Sequence, residues 1–311
     1  FAARGGGTNG AAFGRNDAGQ LGNGLPYVEP PPPLSATPLD GLSGVVSVSG
    51  GDFFASALRS DGTVWAWGYC RYGECGSPTG PTYTPVQVQG ISNVIAISSN
   101  GAYGGGHTLA LKADGTVWAW GVNFYGELGV VPYNYEARPI QVPQLDCVTS
   151  VAAGSYFSIA SRSDGTVWTW GYNGDGERGD GTIGGWDHTL MQVPGITDAV
   201  AVGAGGYHAL VLRSNGTVAA WGRNTEGQLG DGTFNTRGYP VLVANLTNVR
   251  FVTAGVFHSL AILDDGAVRV WGDNGSGQLG TGDFTRATLP IQPIGITSAL
   301  DVAGGYSHTV F

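Results

Sequence analysis

Residues 60–68 read SDGTVWAWG, and the string returns as ADGTVWAWG at 113–121, SDGTVWTWG at 163–171, SNGTVAAWG at 214–222 and DDGAVRVWG at 264–272. A degenerate copy, TNGAAFG, stands at 8–14. Each copy joins Asp-Gly or Asn-Gly, which readily take the positive φ angles of a tight hairpin, to an alternating apolar strand that ends on an aromatic residue and glycine. The turn residues Asn9, Asp61, Asp114, Asp164, Asn215 and Asp265 follow one another at intervals of 50–53 residues. A fixed period of that length marks a repeat architecture.

Within one period, 249–298, VRFVTAG reads as a short strand and His258–Leu263 as a second, which Asp265-Gly266 turns into AVRVWG. The Gly-rich loop DNGSGQLGTGD then leads to a fourth short strand near Leu289–Pro293. Four short strands per period without helical periodicity predict an all-β chain, a β-propeller of four-stranded blades. Residues two apart on a strand share a face, so Trp65 and Trp67 project together, as do Trp118 with Trp120 and Trp168 with Trp170. The second position holds Trp67, Trp120, Trp170, Trp221 or Trp271, with Phe13 in the degenerate copy. One such ring per repeat suits the space between face-packed sheets, and burying it removes roughly 150–250 Å² from water. The first position weakens to Ala219, Arg269 and Ala11 and reads as nearer the rim.

The repeats run approximately 45–92, 93–147, 148–198, 199–248 and 249–298, with a split blade made from 299–311 and 1–44. Six blades are favoured and seven are the alternative, in a single domain over 1–311. Pairing of N- and C-terminal strands would close the ring and remove its open edges.

Three linked motifs recur in register: AGxxHSLAL, DGxVxxWG and the loop NxxGQLGxG at 16–24, 224–232 and 274–282, with variants at 123–129 and 173–181. Together they resemble the regulator of chromosome condensation repeat family over essentially the whole chain. The resemblance implies a propeller of four-stranded blades. It also implies two functional precedents, nucleotide exchange on a small GTPase and inhibition of an enzyme by loops that plug its active site. The acidic charge and the apparent six blades weigh against the first.

The net charge of −9 and a single lysine, Lys112, oppose nucleic-acid binding, which needs a basic surface. No apolar run approaches the roughly 20 residues that span a bilayer, so no membrane insertion is expected. No GxSxG, HExxH or Walker loop is present, no cofactor motif appears, and the chain does not read as an enzyme. Asn173, Asp175, Glu177 and Asp180 alternate as calcium ligands do, but the glycine and distal glutamate of an EF-hand loop are misplaced and no metal site is assigned. His107, His208, His258 and His308 share one repeat slot with Phe54 and Phe157, which reads as a buried packing position. Cys70 and Cys75 flank one compact loop, either as a disulfide suited to an oxidising compartment or as two partly buried thiols. Cys147 reads as a small buried apolar residue.

Seven of the 13 tyrosines lie between Tyr69 and Tyr135. Arg71-Tyr72 and Phe124-Tyr125 replace small or polar pairs at the same loop slot elsewhere, and exposed Tyr, Phe and Arg are favoured in binding hot spots. These residues, with Tyr83, Tyr133, Tyr135 and Trp186, form the candidate contact patch, the other reading being that they pack longer loops. The resulting expectation is a non-catalytic scaffold presenting loops to a protein or glycan partner, extracellular or at a cell surface. A self-associating subunit of an extracellular layer or filament is the neighbouring reading.

Overall fold

The structure, a computed structural model, describes residues 11–12, 18–24, 37–38, 42–77, 80–102, 105–131 and 134–311. Ala11–Ala12 (β1) pairs with Thr37–Pro38 (β2). Five four-stranded antiparallel sheets follow. They are β3–β6 (Val45–Gly50, Phe54–Arg59, Val64–Gly68, Thr82–Gln87), β7–β10 (Val94–Ala102, Gly105–Lys112, Val117–Val122, Tyr135–Gln141) and β11–β14 (Val148–Ala153, Phe157–Arg162, Val167–Tyr172, Trp186–Gln192). Then come β15–β18 (Ala199–Ala204, His208–Arg213, Val218–Gly222, Arg237–Leu242) and β19–β22 (Val249–Ala254, His258–Leu263, Val268–Gly272, Ala287–Ile291). A further pair joins β23 (Ala303–Gly304) to β24 (Thr309–Val310). Among the described residues there is no helix, and so none long and apolar enough to cross a membrane. The degenerate opening copy lies largely outside the described residues.

The Asp-Gly turn is tighter in chemistry than in backbone. Only its glycine has positive φ, +76° at Gly62 and +88° at Gly266, while Asp61 and Asp265 do not. Gly62 N–H donates to Arg59 O and Arg59 N–H to Thr63 O, both at 3.0 Å, which describes a three-residue loop ending in a left-handed glycine. Asp61 Oδ1 accepts from the N–H and hydroxyl of Thr63 at 3.0 and 2.6 Å, and these bonds, the largest cause, hold its carboxyl below the usual range. The same bonds recur at Asp114–Thr116 and Asp164–Thr166, so each turn is fixed by its own sequence.

The chain forms two compact units, 1–124 with 132–146 and 125–131 with 147–311. In the first, Trp67 packs with Leu21, Leu42, Val45 and Ala57, and Trp120 with Leu58, Val64, Val88 and Ile91. In the second, Trp221 packs with Phe157, Val193 and Val202, and Trp271 with Leu212, Leu229 and Val243. All five second-position tryptophans are buried, and each indole N–H donates to a carbonyl in the loop of the preceding repeat: Gln20, Glu74, Glu127, Glu177 and Gln228, at 2.7–3.0 Å. Ring burial and a satisfied indole thus fall on the same residue, which is why the slot keeps Trp. The first-position rings Trp65, Trp118 and Trp168 are only half-buried, with Arg59, Lys112 and Arg162 stacked on them at 5.8, 5.5 and 5.9 Å.

Two sequence expectations change. His107, His208 and His258 are buried, but His308 is exposed, beside a β24 that pairs with β23 alone among the described residues. His208 Nε2 meets Ser259 Oγ at 2.7 Å, and that hydroxyl donates to Gln228 O at 2.8 Å. The imidazole must therefore donate from Nε2 and is neutral, its pKa pushed down by burial to about 3. Cys147 is exposed, not buried. Its backbone is left-handed, φ +53°, in the slot where Asn93 and Asn248 have +58° and +56°. There the carbonyl matters, accepting Ser163 N–H at 2.8 Å, and the side chain points to solvent.

Candidate functional site

The glycine of each Trp-Gly pair builds the end of the sheet that carries the loops. Gly68, Gly121, Gly171, Gly222 and Gly272 have φ between +101° and +108°, and a Cβ on any of them would collide with the carbonyl of the residue preceding the repeat His or Phe. The next N–H then donates to that same carbonyl: Tyr69 to Phe53, Tyr172 to Tyr156, Arg223 to Tyr207 and Asp273 to Phe257, at 2.7–2.9 Å. Two loops are thereby set side by side, one following the first strand of each sheet and one following the third.

In the second unit this register lines up aromatic rings. Tyr125, Tyr156 and Tyr172 meet edge to face, with centroids 5.1–6.0 Å apart. Tyr156 reaches Tyr207 at 5.9 Å, Tyr207 stacks on Phe257 at 5.9 Å, and Phe257 meets Tyr306 at 5.8 Å. None of the six rings is buried, and Tyr306 is 45% exposed. The Arg223 guanidinium lies over Tyr207 and Phe257 at 5.6 and 5.3 Å, with Nε donating to Thr225 Oγ1 at 2.9 Å.

Beneath the loops, Glu74, Glu127 and Glu177 are buried, and each Oε2 accepts the N–H two residues earlier, of Tyr72, Tyr125 and Asp175, at 2.7–2.9 Å. Desolvation pushes their pKa values up to about 7, 8 and 8. Gln228 and Gln278 make the same bond from the same slot, to Glu226 and Ser276. A protonated glutamic acid is the isostere of that amide, so the acids here serve the loop. The calcium-like residues behave alike: Asp180 accepts from Thr182 and pairs with Arg178, and Asn173 ties Arg178 N–H to Thr182.

The predicted patch divides. Arg71 stacks on Tyr72 at 5.5 Å, and Tyr72 meets Phe124 and Tyr135 at 5.7 and 6.1 Å, all in the first unit. Phe124 and Tyr135 are 48% and 45% exposed. Tyr83 is exposed on β6, its ring beside Gly19. Tyr125 belongs to the second unit's row, Trp186 is exposed on β14 opposite Tyr172, and Tyr133 lies outside the described residues. The cysteine sulfurs of Cys70 and Cys75 are paired, with Cα atoms 5.3 Å apart, inside the span a disulfide bridges. Sequence reasoning passed over Tyr156, Tyr207 and Phe257. Their signal was an aromatic residue recurring just before the repeat His or Phe, as Phe53 also does.

A family model described as the RCC1-like domain matches residues 9–311. The chain belongs to that family. Curated relatives include the E3 ubiquitin-protein ligase HERC2 of Mus musculus, 32% identical over 65% of the chain, and the mitochondrial RCC1 domain-containing protein RUG3 of Arabidopsis thaliana, 30% identical over 77%. The match spans 4% of HERC2 and 59% of RUG3. Among solved structures, human WBSCR16 aligns with a TM-score of 0.81 at 25% identity, covering 96% of this chain and 80% of that one. Prp20p of Saccharomyces cerevisiae aligns at 0.79 and 23%, covering 96% and 76%. The four-stranded sheets are accordingly blades of an RCC1-like propeller.

Proposed function

We propose that the chain is a non-catalytic propeller module that binds a protein partner through the loop-bearing end of its blades. The observation that carries this reading is the unbroken row of half-buried and exposed rings from Tyr125 to Tyr306. Rings that only stabilise this fold are sealed between sheets, as Trp170, Trp221 and Trp271 are. A row of tyrosines offers large contact area at low rotamer cost and keeps a hydroxyl for hydrogen bonding. Membership of a family that contains parts of much larger proteins suits a module. The reading takes 1–311 as one domain whose ring is closed by strands from both ends, six blades in all. It places the protein outside the cytoplasm, on its acidic, lysine-poor composition and a Cys70–Cys75 bond.

A photo-crosslinking residue in place of Tyr207, compared with one in place of Asp265 in the hairpin turn, tests the reading on the native source. A protein adduct from position 207 that is absent from 265 is expected. No adduct from 207, or equal adducts from both, overturns it. A glycan adduct, or one formed only with a second copy of the chain, favours the glycan or layer-subunit reading instead.

A further inference from the structure

The chain itself shows what its tyrosine row accepts. Arg223, in the slot after Trp-Gly, lays its guanidinium across the stacked Tyr207 and Phe257. In the preceding repeat that slot holds Tyr172, so no arginine stands at the equivalent position of that ring cluster. Among the described residues no cation stacks on Tyr125 or Tyr172.

Charge points the same way. The three loop arginines of this unit and Arg237, the first residue of β18, are all engaged. Arg178 pairs with Asp180 and Asp187, and Arg237 with Asp231. Arg286 bridges Glu226 and Asp273 at 2.7 and 3.5 Å, and Arg223 is held by its rings. Asp175 is in none of these ion pairs. Its charge reaches Tyr172, whose hydroxyl is pushed up by burial first and then by Glu177, Asp175 and Tyr125, with the Arg223 charge acting in the opposite sense from its place on Tyr207 and Phe257. Glu177 is buried beneath the loop, its Oε2 accepting the Asp175 N–H at 2.9 Å, so the half-buried Asp175 is the more accessible carboxylate of this loop.

Resting on the docking reading above, we propose that the partner presents an arginine, its guanidinium lying on Tyr172 and Tyr125 and paired with Asp175, beside the site the chain fills with Arg223. Arginine suits this better than lysine because its planar, weakly hydrated head stacks on a ring while still donating to a carboxylate. The net charge of −9 favours encounter with such a segment.

Fluorescence anisotropy with labelled octa-arginine, octa-lysine and octa-glutamate peptides at about 150 mM salt tests this on the whole chain. Octa-arginine should bind best, and Asp175→Asn and Tyr172→Ala should each weaken it roughly tenfold. Tyr172→Phe, which keeps the ring, and Asp265→Asn in the hairpin turn should leave it within about twofold. Asp175→Asn is conservative and half-exposed, so it reports even where Tyr172→Ala fails to fold. Octa-arginine binding that ignores Asp175→Asn, or falls equally with Asp265→Asn, overturns the proposal. So does a Tyr207 photo-adduct that excess octa-arginine cannot displace, which would leave the docking reading standing. Absence of any such adduct would remove both.

Discussion

The loops after β5 and after β17 occupy the same place in their repeats and close by different chemistry. In the second, Asn224 is buried, its Oδ1 accepting Leu229 N–H at 2.9 Å while its Nδ2 donates to Asp231 and Thr233. In the first, the slots of Asn224 and Leu229 hold Cys70 and Cys75, whose sulfurs meet. The backbone turn is otherwise shared, Gly76 N–H reaching Gly73 O as Gly230 reaches Gly227. The position thus demands a tether between a residue and the one five further on. An amide can supply it by hydrogen bonds, and a cysteine pair covalently. The tether matters because the carbonyl it steadies, Glu74 O or Gln228 O, receives the indole of the next sheet, Trp120 or Trp271.

If the two loops are equivalent seats, removing the seated ring should cost the same on both. Trp120→Ala and Trp271→Ala are each expected to lose about 3–5 kcal/mol in denaturant unfolding, and a loss under about 1 kcal/mol in either breaks the equivalence. Next in size, Asn224→Ala strands a buried N–H and should cost about 2–3 kcal/mol. Asn224→Cys with Leu229→Cys should recover part of that, and the recovery should vanish in reductant.

Cys70→Ser with Cys75→Ser should lose about 2 kcal/mol, the chain-entropy value for so short a loop. Reductant should lower the wild-type Tm by a matching amount and leave the double variant unmoved. Equal Tm with and without reductant, together with three titratable thiols, would reject the covalent tether.

An effect graded by pH, small at each step, separates Glu177 from Gln228, its counterpart in the next loop. Burial raises the Glu177 pKa from 4.5 to about 8. Its contribution is complete below pH 4.5 and is lost as pH climbs through about 8, so stability should fall across that window. Glu177→Gln should flatten the fall by about 1 kcal/mol per pH unit, seen in melts between about pH 5 and 9. An unchanged slope would mean that Glu177 is ionised in the folded protein.

Much of the fold was legible because its signals are local. An Asp-Gly-Thr turn closes on its own side chains, alternation sets which tryptophan faces inward, and the 50–53-residue spacing repeats both. Cys147 was misread for a reason equally local: its slot is chosen for a left-handed backbone, which hydrophobicity does not reveal. His308 was misread because the slot's burial at His208 and His258 comes with a paired third strand, a contact that the slot residue itself does not reveal.

The binding face was less legible. Phe124 and Tyr125 look like one feature in the chain, yet one ring joins Tyr72 and Tyr135 and the other joins Tyr156 and Tyr172. Sequence alone determined the repeat, the strand order within it, the inward ring and the turn chemistry, all of which depend on residues a few positions apart. Tertiary structure alone decided which rings touch, which carboxylates are desolvated and which arginine is already taken. Those outcomes depend on loops about fifty residues apart being brought side by side, where desolvation and ring geometry, rather than neighbours in the chain, set the energies.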